Sequence, residues 1–199
     1  MRRLMPVFVA SDGRDPVAPP PGLEAGILLR DLDLLTLVRR AGSIQAPIAL
    51  DLDSVEGLNP DPTAARFVIE ELGVDLVVTR RPTVALRAVE LGRSALLHVL
   101  AFDSTGLARS LEGHPGTPGV GTIVSPGPVL DHLLAPDLQR LPRPLVAYGF
   151  IDTPERAAGL LRYADAVVVP PACALLMARG TLPADAGAVV GRGWGTGSP

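Results

Sequence analysis

Three carboxylates and one guanidinium group carry the densest chemistry in the chain: Asp53, Glu56, Asp103 and Arg80 each stand just past a short apolar run. Carboxylates gathered in this way can exchange protons with a substrate or hold a hard cation through oxygen ligands. Taken singly, each can equally cap the turn that follows or pair with Arg80. Arg80 offers a planar fork of donors that grips a phosphate or carboxylate at two points. Ser125-Pro126-Gly127 and Ala147-Tyr148-Gly149 put glycine directly after apolar runs, where open backbone N–H groups can meet an anion. Asp103-Ser104 is a polar pair of the same strand-end kind.

Other chemistries lack their residues. Cys173 is the sole cysteine, so an internal disulfide and a cysteine-based zinc cluster are excluded, and it reads as a buried structural thiol. His98 lies inside an apolar run and reads as an inward histidine hydrogen-bonded to its surroundings, while His114 and His132 fall on loop and helix surface. No Ser-His-Asp spacing, metal-ligating histidine pair or glycine-rich nucleotide fingerprint occurs. All 18 basic residues are arginine, which rules out a lysine Schiff base. No catalytic residue, metal or cofactor is assigned.

The elements that must position these groups are eight apolar runs rich in Val, Ile, Leu and Ala, at 7–10, 26–29, 47–52, 74–79, 95–102, 121–124, 145–147 and 165–169. Near-continuous apolar runs mark parallel strands buried on both faces. Helical stretches intervene: 33–40 before Gly42, 61–72 before Gly73, a third from Pro82 to near Gly92, and a fourth that Thr153-Pro154-Glu155 opens. Strand–helix alternation with eight strands predicts a small (β/α)8 TIM-type barrel rather than an open sheet. The prolines at 16 and 19–21 and the segment 113–119 predict an irregular outer helix ring. In such a barrel, ligand chemistry belongs at the carboxyl ends of the strands, where the groups above fall.

A length of 199 residues suits one barrel domain over 1–180, followed by a Gly/Ala/Pro-rich tail over 181–199 expected to be mobile and carrying Trp194. No apolar run approaches the roughly 20 residues of a membrane span, and no signal-peptide core follows the N-terminal arginines, so a cytoplasmic protein without membrane contact is expected. A net charge of −3 and 4% aromatic residues give no chain-wide footprint for nucleic acid.

Five motifs, in order and with compatible spacing, resemble the glycerol-3-phosphate-responsive antiterminators of bacterial glycerol uptake operons. They are Asp53-Ser54-Val55-Glu56-Gly57-Leu58, Val78-Thr79-Arg80, Phe102-Asp103-Ser104, Ser125-Pro126-Gly127, and Ala147-Tyr148-Gly149-Phe150-Ile151 followed by Thr153-Pro154-Glu155. The resemblance spans about residues 5–176. It implies a barrel that binds glycerol-3-phosphate and acts on the leader mRNA of glycerol genes, letting transcription pass a terminator. Arg80 and the N–H groups of Gly127 and Gly149 would hold the phosphate. Asp53, Glu56 and Asp103 would accept hydrogen bonds from the glycerol hydroxyls, with Ser104 and Tyr148 completing the ligand set. The chain departs from the family at Tyr148 (usually glycine), Pro170-Pro171-Ala172 (usually Ser/Thr-rich), Ile123 (usually acidic), Asp51 (usually histidine) and His98 (usually arginine).

Two other readings compete with the ligand-sensing regulator. One is a small barrel enzyme acting on a phosphorylated metabolite with Asp53 or Asp103 as general acid or base; the other is a degenerate barrel kept for protein contacts. RNA would need an arginine surface, with Arg39, Arg40 and Arg87 or Arg140 and Arg143 as candidates. Sequence leaves open whether the chain is a homo-oligomer.

Overall fold

The computed structural model describes residues 5–12 and 18–180. The expected tail over 181–199, Trp194 included, lies outside the described residues. Eight parallel strands pair in chain order and close on themselves, as predicted: Val7–Ser11 (β1), Gly26–Leu29 (β2), Ile48–Asp51 (β3), Leu76–Thr79 (β4), Ser94–Leu100 (β5), Val120–Ser125 (β6), Leu145–Tyr148 (β7) and Ala166–Val169 (β8). Pairing of β1 with β8 through Phe8 and Val168 completes the ring.

The helices are Leu34–Ala41 (α1), Pro62–Glu70 (α2), Pro82–Glu90 (α3), Ser104–Glu112 (α4), Ala135–Arg140 (α5), Pro154–Leu160 (α6) and Pro171–Ala178 (α7). Their starts are legible in local chemistry. Asp33, Asp61, Asp103 and Thr153 each accept a backbone N–H of the first turn, and proline stands in the first turn of α2, α3, α6 and α7. The ring is irregular where expected: no helix follows β1 among the described residues, and only a 3-10 turn and the short α5 link β6 to β7.

Two apolar layers result from the period-2 alternation of strands. The outer layer packs between strands and helices around residues such as Leu29, Leu50, Val77 and Val124. The inner layer fills the barrel with Phe8, Leu28, Ala49, Val78, Leu96, Ile123, Val146 and Val168. Two residues further along each strand, the next inward positions are Ala10, Arg30, Asp51, Arg80, His98, Ser125, Tyr148 and Pro170. The barrel is therefore plugged with hydrocarbon below and polar at its mouth.

Candidate ligand site at the barrel mouth

Arg30 is fixed by its backbone before its side chain does anything. Its N–H donates to Ser11 O at 3.0 Å, and Asp31 then turns the chain with φ 52°. The Asp31 N–H donates to Ser54 Oγ at 2.9 Å, and that hydroxyl donates to Asp51 O at 2.9 Å, joining the ends of β2 and β3. The guanidinium lies over the Tyr148 ring, 5.1 Å from its centroid, and its Nη2 pairs with Asp31 Oδ2 at 2.6 Å. Its Nε is buried and has no hydrogen-bond partner.

Tyr148 in turn meets the His98 ring edge-on at 5.8 Å, and His98 Nε2 lies 2.7 Å from Ser125 Oγ. Burial and the positive charges of Arg80 and Arg30 push His98 down to about 4, with Asp53 pulling the other way, so its imidazole is neutral at pH 7. Asp51 moves in the opposite sense, up to about 6. Burial is the largest cause and the Asp53 charge the next, with Arg30 opposing them.

Asp53, with its side chain only 7% exposed, ties β3 to β4. It accepts from Thr79 Oγ1 at 3.0 Å and from the Arg80 N–H at 2.5 Å, and it pairs with Arg80 Nε at 3.4 Å and Arg81 Nε at 3.6 Å. The Arg80 side chain is 61% exposed at the rim. Exposed Phe102 and Phe150 flank the mouth after β5 and β7.

A profile of glycerol-3-phosphate responsive antiterminators matches residues 27–170, from within the second strand to just past the eighth. The chain belongs to that family. A glycerol uptake operon antiterminator-related protein from Thermotoga maritima shares the fold at TM-score 0.69 and 23% identity, over 87% of this chain and 99% of that one. The glycerol uptake operon antiterminator regulatory protein from Listeria monocytogenes does so at TM-score 0.65 and 18% identity, over 82% and 90%. Phosphoribosyl anthranilate isomerase from Thermotoga maritima aligns at TM-score 0.55 and 13% identity, over 85% and 89%, so the same barrel also carries enzymes. No curated protein matches the sequence.

Within this antiterminator-family barrel, the residues singled out from sequence do not all converge. Asp53, Arg80 and Tyr148 reach the mouth. Glu56 pairs its backbone with Asp33 and lines a separate open hollow of about 640 Å³ beside α1, together with Asp31, Arg39 and Arg40. Asp103 caps α4, accepting the Gly106 N–H at 2.6 Å, and Ser104 is the exposed first residue of that helix. The Gly127 N–H is occupied by Gly149 O at 3.3 Å. A Cβ at Gly127 would stand 3.2 Å from Tyr148 N and 3.3 Å from Gly149 O, so glycine is there for the close approach of two loops. Gly149 adopts φ +81° and Phe150 follows at +58°, a turn held by Arg156, which donates to Phe150 O at 3.0 Å.

Sequence reasoning missed Arg30 altogether and left Asp51 and Ser125 outside the expected ligand set. The signal for all three was parity: each lies two residues past an inward apolar position. Cys173 is buried as expected, and burial pushes its thiol up, further from reactivity. Among the described residues no group of three or more His, Cys, Asp or Glu could hold a metal ion, and no helix is long and apolar enough to cross a membrane.

Proposed function

We propose that this chain is a cytoplasmic, ligand-sensing transcription antiterminator whose barrel mouth binds glycerol-3-phosphate and whose bound form acts on the leader RNA of glycerol genes. The observation that carries this reading is the family match over 27–170; it is supported by a mouth where Arg30, Arg80, Asp51, His98, Ser125 and Tyr148 converge. Two guanidinium groups suit the phosphate. Asp51, the His98 imidazole and the Ser125 hydroxyl suit the two hydroxyls of a glycerol unit, which both donate and accept hydrogen bonds. Binding acts on RNA by favouring one of two forms of the chain, and it can shift them only by its difference in affinity for the two.

A second reading, a small barrel enzyme, draws on one feature. Asp51 titrates near 6 in the mouth, in the range of a general base. Asp53 and Asp103 are less suited to that role, because the first holds the end of β4 and the second caps α4. A screen of phosphorylated metabolites separates the two readings. Turnover abolished by Asp51→Asn supports the enzyme, whereas binding without turnover supports the regulator.

The decisive first measurement is the melting temperature with and without millimolar glycerol-3-phosphate, with glycerol and inorganic phosphate as controls. Ligand at about 100 times its Kd adds roughly 2.7 kcal/mol, a rise of about 5–10 °C for a domain of this size. No shift with glycerol-3-phosphate removes the sensor reading.

A further inference from the structure

We propose that Arg30, held flat by Tyr148, is the residue that grips the ligand's anionic group, so that the mouth selects small molecules bearing a phosphate or similar tetrahedral oxyanion. The proposal rests on the reading of the mouth as a ligand site and names the residue on which its specificity depends.

A buried donor on a permanently charged guanidinium is normally satisfied, because leaving it unpaired in a site away from water is strongly unfavourable. Arg30 Nε is buried without a partner, although Asp51 stands close enough for Arg30 to oppose the rise in its pKa. The arginine pairs sideways with Asp31 through Nη2 and keeps Nε unused. Nε shares one edge of the guanidinium with Nη2, so an oxyanion there would meet Nε with one oxygen and share Nη2 with Asp31. The Tyr148 face at 5.1 Å fixes the plane of that edge, and the Ser11, Ser54 and Asp51 contacts of the backbone fix its root. A stacked, anchored cation with a vacant buried donor is preorganised for an acceptor that the chain itself does not supply.

Some backbone donors are withdrawn from the mouth. The Gly127 N–H is taken by Gly149 O, and neither Pro170 nor Pro171 has an N–H to offer, so the loops after β6 and β8 lack those donors. Arg80 lies within electrostatic reach of His98, as Arg30 does, so positive charge converges on one small volume. Both arginines already meet a carboxylate, but the Arg80 side chain is 61% exposed against 33% for Arg30, which makes Arg80 the weaker of the two holders.

Titration calorimetry on the full chain and its variants, with glycerol-3-phosphate, inorganic phosphate and glycerol as probes, tests this. Arg30→Gln should weaken glycerol-3-phosphate binding by about 30-fold or more, the loss expected when one partner of a buried charged pair is removed. Arg80→Gln should weaken it by less. Tyr148→Leu should weaken it several-fold, and Tyr148→Phe should restore it, because phenylalanine keeps the aromatic face but not the hydroxyl. Arg30→Lys, which keeps the charge without the fork, should bind as poorly as Arg30→Gln and serves as the second variant if glutamine unfolds the barrel. Wild-type binding with an Arg30→Gln affinity within threefold overturns the Arg30 assignment alone. A wild type that binds neither glycerol-3-phosphate nor phosphate overturns the ligand reading of the mouth, and this proposal with it.

Discussion

Asp51 and His98 share one layer of the barrel and pull stability in opposite directions with pH. Asp51 rises from its ordinary 3.8 to about 6 on folding, so the native chain holds that proton more tightly than the unfolded one. Its contribution is fully present below pH 3.8 and is lost as pH rises through 6. His98 falls from 6.5 to about 4, so its contribution is present above pH 6.5 and is lost as pH falls through 4. Between pH 4 and 6.5 the two slopes oppose each other and flatten the wild-type curve. Asp51→Asn should therefore raise the melting temperature at pH 7, by an amount equivalent to about 2–3 kcal/mol at most, and leave it unchanged near pH 3.5. Melting temperatures of both chains from pH 3.5 to 7.5 check this, and equal values at pH 7 would show that Asp51 is ionised at little cost. His98 reads as inward from its place inside an apolar run, whereas only strand parity says that Asp51 faces inward too. The strand-end carboxylates Glu56 and Asp103 looked equally suitable there; in the structure the backbone of Glu56 makes a loop pairing, and the Asp103 carboxylate caps a helix.

Carboxylates at both ends of the barrel tie its elements together. At the lower rim Asp165 accepts the Leu145 N–H at 2.7 Å and Arg143 Nη1 at 2.8 Å, holding the start of β7 from the foot of β8. Asp75 does the same for Ile48 at the start of β3, at 3.0 Å. In this fold the lower face belongs to stability and the upper to ligand. Asp165→Ala takes the acceptor from the Leu145 N–H and leaves Arg143 only the Tyr163 carbonyl, so it should cost about 1–3 kcal/mol and lower Tm by roughly 2–10 °C, with glycerol-3-phosphate affinity unchanged. Asp53→Ala, at the upper rim, should cost a similar amount of stability and weaken binding as well, because Arg80 loses its anchor. Thermal melts and titration of the two variants side by side check the contrast, and an Asp53→Ala chain with wild-type affinity would remove Arg80 from the site. The eight strands were legible because each is a near-continuous apolar run; α7 was less so, although Pro171 at its first position is a start signal. Its prolines stand out in sequence for the N–H groups they withhold from the last loop and conceal the helix they open.

At the scale of the whole molecule, charge constrains how RNA can be held. The chain carries 18 arginines against 21 carboxylates, and many of those arginines are already paired. Arg66 meets Glu70, Arg87 meets Glu90, Arg143 meets Asp165 and Arg156 meets Asp152. Of the arginines proposed from sequence to meet RNA, Arg39 and Arg40 line the hollow shared with Asp31, Asp33 and Glu56, where a phosphate backbone would meet carboxylates as well as cations. On the proposed reading, such mixed charge disfavours capture of RNA by counterion release over many phosphates, and recognition would rest on a few contacts that ligand binding brings into place. Leader RNA should therefore bind measurably only with glycerol-3-phosphate present. Its affinity should fall with salt at a log–log slope no steeper than about −3, since each phosphate contacted on a single strand contributes about −0.7. Binding measured between 50 and 200 mM salt, with and without ligand, supplies both numbers. A slope near −6, or equal affinity without ligand, would mean a broad basic footprint that the described residues do not present, and the ligand would then act on something other than the chain's hold on RNA.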